Sequence, residues 1–277
     1  MQSAAGQPAH RNSPREQSLS LRVCVLASGS RGNSTWIATG RTRLLVDVGL
    51  RSKEACARLT AIGERAETCD AFIISHEHVD HVGGLKKLAR DLGRPIYINE
   101  GTRGAIEWGA KITAFEMFTA GVKFIVGDIE VTPFSIPHDA ADPVGFTFEA
   151  EGLKVGIVTD LGCIPEHVKL HLSGCHMLVF ESNHDVEMLR VGPYPWFVKQ
   201  RVMSRHGHLS NNAAAEFLSG AYDGCAQVLV LAHLSEVNNH PEIVRLTALE
   251  ALSHRSNGCA PELHLAAQDA PTKVFEW

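Results

Sequence analysis

Ser75-His76-Glu77-His78-Val79-Asp80-His81 is the stretch from which the rest of the chain can be read. Five of its seven side chains can ligate a metal or move a proton near neutral pH. The apolar run Ala71-Phe72-Ile73-Ile74 precedes it and has the character of a buried strand. Val82-Gly83-Gly84 and Leu85-Lys86-Lys87-Leu88 follow, a glycine turn feeding an amphipathic helix. The polar cluster is therefore expected where a core strand ends and a helix begins, the edge at which α/β folds bind ligands. His76 and His78 can face one point from an extended or tightly looped backbone. Asp80 and His81 follow on the turn and point differently, so one short loop offers two sets of ligands. Imidazole and carboxylate suit zinc, and also manganese or iron.

His-x-His-x-Asp-His after an apolar strand resembles the metallo-β-lactamase superfamily of dinuclear metal hydrolases. The resemblance implies two divalent metal ions and further ligands downstream, each at a strand end. His138, stiffened by Pro137 after a strand expected over Ile129–Ile136, is assigned with His76 and His78 to the first metal. His233 ends the apolar run Gln227–Ala232 and joins Asp80 and His81 at the second. Asp160 follows the strand expected over Leu153–Val158 and can bridge the two. Asp47, ending Leu44-Leu45-Val46, is either exposed or a buried carboxylate bonded to backbone N–H groups of the metal loop. Cys163 lies past the turn after Asp160 and is left out of the site.

The chain has 277 residues, 44% hydrophobic, and a net charge of −5. That length is enough for one large core or two small ones; a single hydrolase domain over 21–277 is expected. Residues 1–20 are rich in Ser, Gln, Arg and Pro, lack the apolar centre of a secretory signal, and are expected to be a disordered tail. No apolar run approaches a membrane span. The charge balance shows no global basic excess, so any nucleic-acid contact must be local. Seven cysteines, an odd number without Cys-x-x-Cys spacing, read as buried thiols of a reducing cytoplasm. The oligomeric state is not fixed by the sequence.

Other elements read from pattern are strands from Leu21, Thr35, Arg43, Pro95, Val122, Val144, His176 and Glu262, and helices over Ser52–Ile62, Thr102–Trp108, Asn211–Leu218 and Pro241–His254. Strand-rich segments followed by helices occur twice. With ligands at strand ends, this resembles the αββα sandwich of the metallo-β-lactamase type, an α/β fold of two mixed sheets flanked by helices. The loop Ala27–Ser34 is either a plain hairpin turn or a source of backbone N–H groups for a phosphate through Ser28 and its neighbours. Asn183 and His184 either line the substrate pocket or hold the loop of Asp160. Lys199, Arg201 and Arg205 lie just before His208, and Ser210 is an expected N-cap for the helix from Asn211. Together these are either a solvated basic turn or a phosphate clamp of Lys199, Arg201 and Ser210, with His208 as an acid at a helix N-terminus.

Leu26-Ala27-Ser28-Gly29-Ser30, Glu181-Ser182-Asn183-His184-Asp185, Gly207-His208-Leu209-Ser210-Asn211 and Ala232-His233-Leu234-Ser235 are similar to the YycJ/WalJ family, over about residues 21 to 270. That resemblance implies a phosphodiesterase, including 5′-to-3′ exonuclease action on DNA, with a hydroxide held by both metals attacking phosphorus. Asp80 would orient the nucleophile. By similarity to ribonuclease Z, His208 would support the transition state. The interval between Asp160 and His233 has no room for the large inserted domain of the β-CASP nucleases. The alternative expectation is a small-molecule metallohydrolase acting on a thioester, a lactone or a small phosphodiester. A non-catalytic metal-bearing scaffold is the third.

Overall fold

Alternation along the first strand sets the layering. In β1 (Arg22–Ala27), Val23 and Val25 belong to one apolar cluster, and Cys24 and Leu26 to another, as the two-residue repeat of a strand requires. The computed structural model describes residues 20–109, 112, 114–255 and 260–277. The tail expected over 1–20 lies, Ser20 apart, outside the described residues. From β1 the chain runs through β2 (Ser34–Ala38), β3 (Arg43–Val46), α1 (Ser52–Ala61), β4 (Ala71–Ile73), α2 (Val79–Val82), α3 (Leu85–Leu92), β5 (Ile96–Ile98), α4 (Glu100–Ala105) and β6 (Phe115–Met117). It continues through β7 (Phe124–Val126), β8 (Ile129–Ser135), β9 (Val144–Ala150), β10 (Leu153–Val158), α5 (Glu166–Leu172), β11 (Met177–Glu181), α6 (Val186–Val191), α7 (Trp196–Val202), α8 (Asn211–Glu216), β12 (Val228–Ala232), α9 (Pro241–Ser253), β13 (Glu262–Leu265) and β14 (Phe275–Glu276).

Two seven-stranded sheets result, ordered β14-β1-β2-β3-β4-β5-β6 and β13-β12-β11-β10-β9-β8-β7. Both are mixed. Strands β3 to β6 and β10 to β13 pair in parallel, and the remaining neighbours are antiparallel. Val23, Ile37, Leu44 and Ile73 of the first sheet share the central layer with Val131, Phe146, Phe148 and Val179 of the second. Outside the first sheet, Trp36, Leu45 and Phe72 pack with Leu59 of α1 and Leu85 and Leu88 of α3. Outside the second, Leu178, Phe180 and Leu231 pack with Val168 and Leu172 of α5, Ala214 of α8 and Val244 of α9. This is the expected four-layer sandwich of two mixed sheets flanked by helices. It turns the C-terminal ends of the parallel strands toward one edge, where the polar clusters gather.

Several local expectations need correction. The helix expected over Thr102–Trp108 starts earlier, at Glu100, because Asn99 Oδ1 accepts from the Thr102 N–H at 2.8 Å and caps it upstream. Strands β6 and β14 are too short to show a period. Helices α6 and α7 hide in a segment broken by Gly192, Pro193 and Pro195. The thiols are not uniformly buried. Cys24, Cys69 and Cys175 are, and burial pushes them up to about 11, 12 and 12, which keeps them protonated and inert. Cys56 and Cys163 are half-buried and Cys225 is exposed, while Cys259 lies outside the described residues. Among the described residues no helix is long and apolar enough to cross a membrane.

Candidate metal centre

The polar loop leaves β4 and is held from beneath by Asp47. That residue ends β3 at φ 57°, in the left-handed region that L side chains rarely adopt. Its Oδ1 accepts from the Ser75 N–H at 2.9 Å, and its Oδ2 accepts from the Ser75 hydroxyl and from His81 Nδ1, each at 2.8 Å. The buried-carboxylate reading of Asp47 is therefore the one the fold adopts. With Nδ1 of His81 given to Asp47, Nε2 turns to the other side, 3.2 Å from Asp160 Oδ2 and 3.6 Å from Asp80 Oδ2. The Ser75 hydroxyl also meets His76 Nδ1 at 2.9 Å, leaving His76 Nε2 buried without a partner. Burial, helped by the neighbouring His81, holds the His76 pKa well below its usual range and keeps that nitrogen's lone pair free. Burial opposes charge on His81 too, but the carboxylates of Asp160 and Asp47 outweigh it and raise its pKa.

The turn that carries Asp80 is clamped by close backbone approach. A Cβ on Gly49 would fall 1.6 Å from the Asp80 carbonyl oxygen, so no larger residue fits there. The same carbonyl accepts from the Asn33 N–H at 2.7 Å, and the Asn33 amide reaches Asp80 Oδ2 at 3.1 Å and His81 Nε2 at 3.0 Å. The sequence reading did not single out Asn33. Its signal was an amide at the end of a small-residue turn.

The other half of the site comes from four separate places on the second sheet. His138 follows β8; its Nδ1 meets the Gly207 carbonyl at 3.2 Å and its Nε2 lies 3.2 Å from His78 Nδ1. Asp160 and His233 end β10 and β12 at φ 62° and 56°, so three of the four non-glycine residues at positive φ among the described residues belong to this centre. Glu181, fully buried at the end of β11, ties the half together. Its Oε1 accepts from His208 Nδ1 at 2.9 Å and from His233 Nδ1 at 2.8 Å. Its Oε2 accepts from the Leu161 and Leu209 N–H groups, each at 3.0 Å. Burial would raise its pKa, but His208 and His233 hold it down at about 2. Burial would likewise discharge His233, yet Asp160, Asp80 and Glu181 raise it to about 10. Glu181 lies in one of the stretches that carry the family resemblance, but no spacing marks it, because a carboxylate that only orients other groups follows no ligand spacing.

Two ligand groups stand side by side: His76, His78 and His138, and Asp80, His81, Asp160 and His233, the ligand atoms of each lying within 4.8 Å of one another. Among the buried atoms here, His76 Nε2 has no hydrogen-bond partner, and Asp160 Oδ2 and His233 Nε2 make only ion-pair contacts, to His81 Nε2 at 3.2 Å and Asp80 Oδ2 at 3.5 Å. Leaving a buried atom such as His76 Nε2 unpaired costs ~1–3 kcal/mol, and cation binding would relieve it. The donors fit divalent zinc, manganese or iron. A third group, Asp160, Glu181, His208 and His233, is equally close. There the four acceptor positions of Glu181 are already filled by N–H groups, so it is a hydrogen-bonded frame. His208 stands over the site, its ring centroid 5.2 Å from that of His138 and 5.1 Å from that of His233, with 19% of its side chain exposed at the mouth.

The five residues expected to bind substrate each have a partner within the fold. Ser28 is buried; its hydroxyl bonds Asn33 Oδ1 and accepts from the His233 N–H at 2.8 Å. Asn183 donates to the His233 carbonyl at 2.7 Å, so it holds a candidate ligand's backbone. Lys199 is buried and donates to the Arg190 carbonyl at 2.7 Å. Arg201 pairs with Asp139. Ser210 Oγ accepts from the Ala213 N–H at 3.2 Å and caps α8. The Asn211 and Ala214 N–H groups bond His184 and Ser210 carbonyls, leaving α8 little to offer an anion.

Comparison with known proteins agrees with this geometry. The beta-lactamase superfamily domain matches residues 42–234. The exodeoxyribonuclease YycJ of Bacillus anthracis is 37% identical over 261 residues, covering 92% of this chain and 99% of that protein. The exodeoxyribonuclease WalJ of Streptococcus pneumoniae serotype 2 is 35% identical over 265 residues, covering 93% and 98%. In three dimensions the metallo-beta-lactamase fold protein YhfI from Bacillus subtilis superposes with a TM-score of 0.70 at 20% identity, over 93% of this chain and 100% of that one. Fold, matched domain and identity along nearly the whole length agree: the chain belongs to the metallo-β-lactamase superfamily and, within it, to the YycJ/WalJ family.

Proposed function

We propose that this protein is a dinuclear-metal-dependent phosphodiesterase acting as a 5′-to-3′ exonuclease on DNA in the cytoplasm, as one domain over 21–277. The observation that carries the reading is the pair of adjoining ligand groups, the second of which includes Asp160, in a chain whose relatives over nearly its whole length are named exodeoxyribonucleases. His76, His78 and His138 would hold one ion, and Asp80, His81 and His233 the other, with Asp160 shared. Bound ions supply Lewis-acid neutralisation of phosphoryl charge and lower the pKa of water.

The chain's own residues do the rest. Asp47 and Glu181 fix the ring orientations of His81 and His233 through their Nδ1 atoms, so that each presents Nε2 to the site. Asp80 orients the attacking water. His208, with Nδ1 tied to Glu181, offers Nε2 at the mouth, where it gives a proton to the leaving oxygen or a hydrogen bond to the charged phosphoryl group. The test is hydrolysis of a 5′-phosphorylated DNA duplex beside bis(p-nitrophenyl) phosphate, with manganese, zinc or chelator and with Asp80→Ala as control. Metal-dependent loss of nucleotides from the 5′ end, absent in the variant, is expected. Cleavage of the small diester alone would make the protein a small-molecule phosphodiesterase. Activity on neither, with metal bound, would overturn the reading in favour of acyl substrates.

A further inference from the structure

Trp196 and Phe197 open α7 with 62% and 71% of their surface in solvent, and they are the only exposed aromatic side chains among the described residues. Large apolar rings left in water normally have a partner. The ridge carrying them is firmly seated. Asp185 Oδ1 caps α6 by accepting from the Met188 N–H at 2.8 Å, and buried Lys199 of α7 donates to the last turn of α6 through the Arg190 carbonyl. At its far end α7 abuts the catalytic loops. The His208 N–H bonds the Val202 carbonyl at 2.9 Å, and a Cβ on Gly207 would meet the Arg201 and Val202 carbonyls at 2.2 Å. A Cβ on Gly162, two residues after Asp160, would strike the Ser204 carbonyl at 2.4 Å. A helix of seven residues is about 10 Å long. The aromatic pair thus opens a helix whose last residue, Val202, accepts from the His208 N–H.

The charge of the ridge names its occupant. Residues 186–206 carry four cations, Arg190, Lys199, Arg201 and Arg205, in a chain whose net charge is −5. Lys199 is buried, while Arg190, Arg201 and Arg205 are exposed on the same segment as the rings. Arg190 and Arg201 pair at the surface with Glu187 and Asp139, and exposed ion pairs of this kind are weak enough to exchange a carboxylate for a phosphate. Exposed aromatic faces with interleaved cations on a fixed support are the physical requirements for unpaired nucleotides, whose bases stack while their phosphates meet the arginines. Resting on the nuclease reading above, we propose that Trp196 and Phe197 form a stacking platform for single-stranded DNA leading to or from the centre, and set the preference for a polymer over a small diester.

The experiment compares the full-length protein with Trp196→Ala, Phe197→Ala, Trp196→Phe and Trp196→Leu, all at exposed positions. Binding of a fluorescein-labelled dT15 is read by anisotropy with metal chelated, and kcat/KM is read on the same oligonucleotide and on bis(p-nitrophenyl) phosphate. The alanine variants are expected to bind dT15 about tenfold more weakly or worse. Their loss on the oligonucleotide should fall in KM and exceed any loss on the small diester by a similar factor. Trp196→Phe should restore binding and Trp196→Leu should not, because stacking needs a ring and mere apolar contact does not. Equal losses on both substrates, or full rescue by leucine, would overturn the platform. So would unaltered dT15 binding, including a case where the alanine variants change only from dimer to monomer by sedimentation, which would make the ridge an interface between copies. Absence of nuclease activity in the unmodified protein would instead break the nuclease reading, whatever the anisotropy shows.

Discussion

The two halves of the centre solve one problem in different ways. On the first sheet, four candidate ligands, His76, His78, Asp80 and His81, come within six residues. On the second, His138, Asp160 and His233 come from three strand ends spread over 96 residues. Yet each half is organised by one buried carboxylate, Asp47 or Glu181, that takes Nδ1 of a histidine at 2.8 Å and so aims its Nε2 inward. The local half also ties its carboxylate to the Ser75 N–H and hydroxyl. The dispersed half has no continuous loop to hold it together, and Glu181 bonds two histidines and two backbone N–H groups from different segments. The compact loop is held at separate points by Asp47 and Asn33, whereas the scattered ligands share one hub.

The largest effect is expected where the halves meet. Asp160→Ala removes the carboxylate that faces His81 from one side and His233 from the other, and should reduce hydrolysis of both test substrates to the protein-free level. Partial activity would mean the halves work separately. His208→Ala is next: a loss of ~10²–10⁴ in kcat, with metal content by plasma mass spectrometry unchanged. Full activity would remove His208 from the chemistry and leave Glu181 serving His233 alone.

Glu181→Gln and Asp47→Asn sharpen the comparison directly. Orienting groups of this kind are worth roughly 10- to 100-fold in metal affinity. Glu181→Gln should reach the upper end and Asp47→Asn the lower, measured by chelator competition, because the hub serves more segments. Equal losses, or the reverse order, would sink the idea that dispersion demands a stronger organiser. The smallest effect is expected for Ser75→Ala, which removes one hydroxyl bridging Asp47 and His76. A cost of about 1 kcal/mol should lower Tm by only ~2–4 °C, followed by scanning calorimetry.

The same contrast explains what could be read in advance. The metal loop was legible because its donors are neighbours and an apolar strand precedes them. Each distant candidate was placed by a local sign: an ionisable residue ending an apolar run. The partners of the expected substrate residues were not legible for a related reason. Lys199, Ser28 and Ser210 have the chemistry of phosphate ligands, but one ammonium and two hydroxyls can be consumed by a helix end, a neighbouring loop and a cap, and nothing along the chain reports that. Helix α7 escaped notice because two prolines and a glycine precede it, the marks of a loop, while its anchor, Lys199 to Arg190, lies across the turn.

By itself the sequence determined the order of strands and helices and the set of residues able to meet a metal, because strand alternation and donor chemistry are local properties, while the αββα layering followed from the resemblance those residues carry. Only the tertiary structure decided which groups orient those donors and which stay free for substrate. Asp47, Asn33 and Glu181 act on Ser75, Asp80 and His208, each 27 or more positions away. A hydrogen bond is satisfied by whatever partner the packed fold brings within about 3 Å, and adjacency along the chain does not encode that partner.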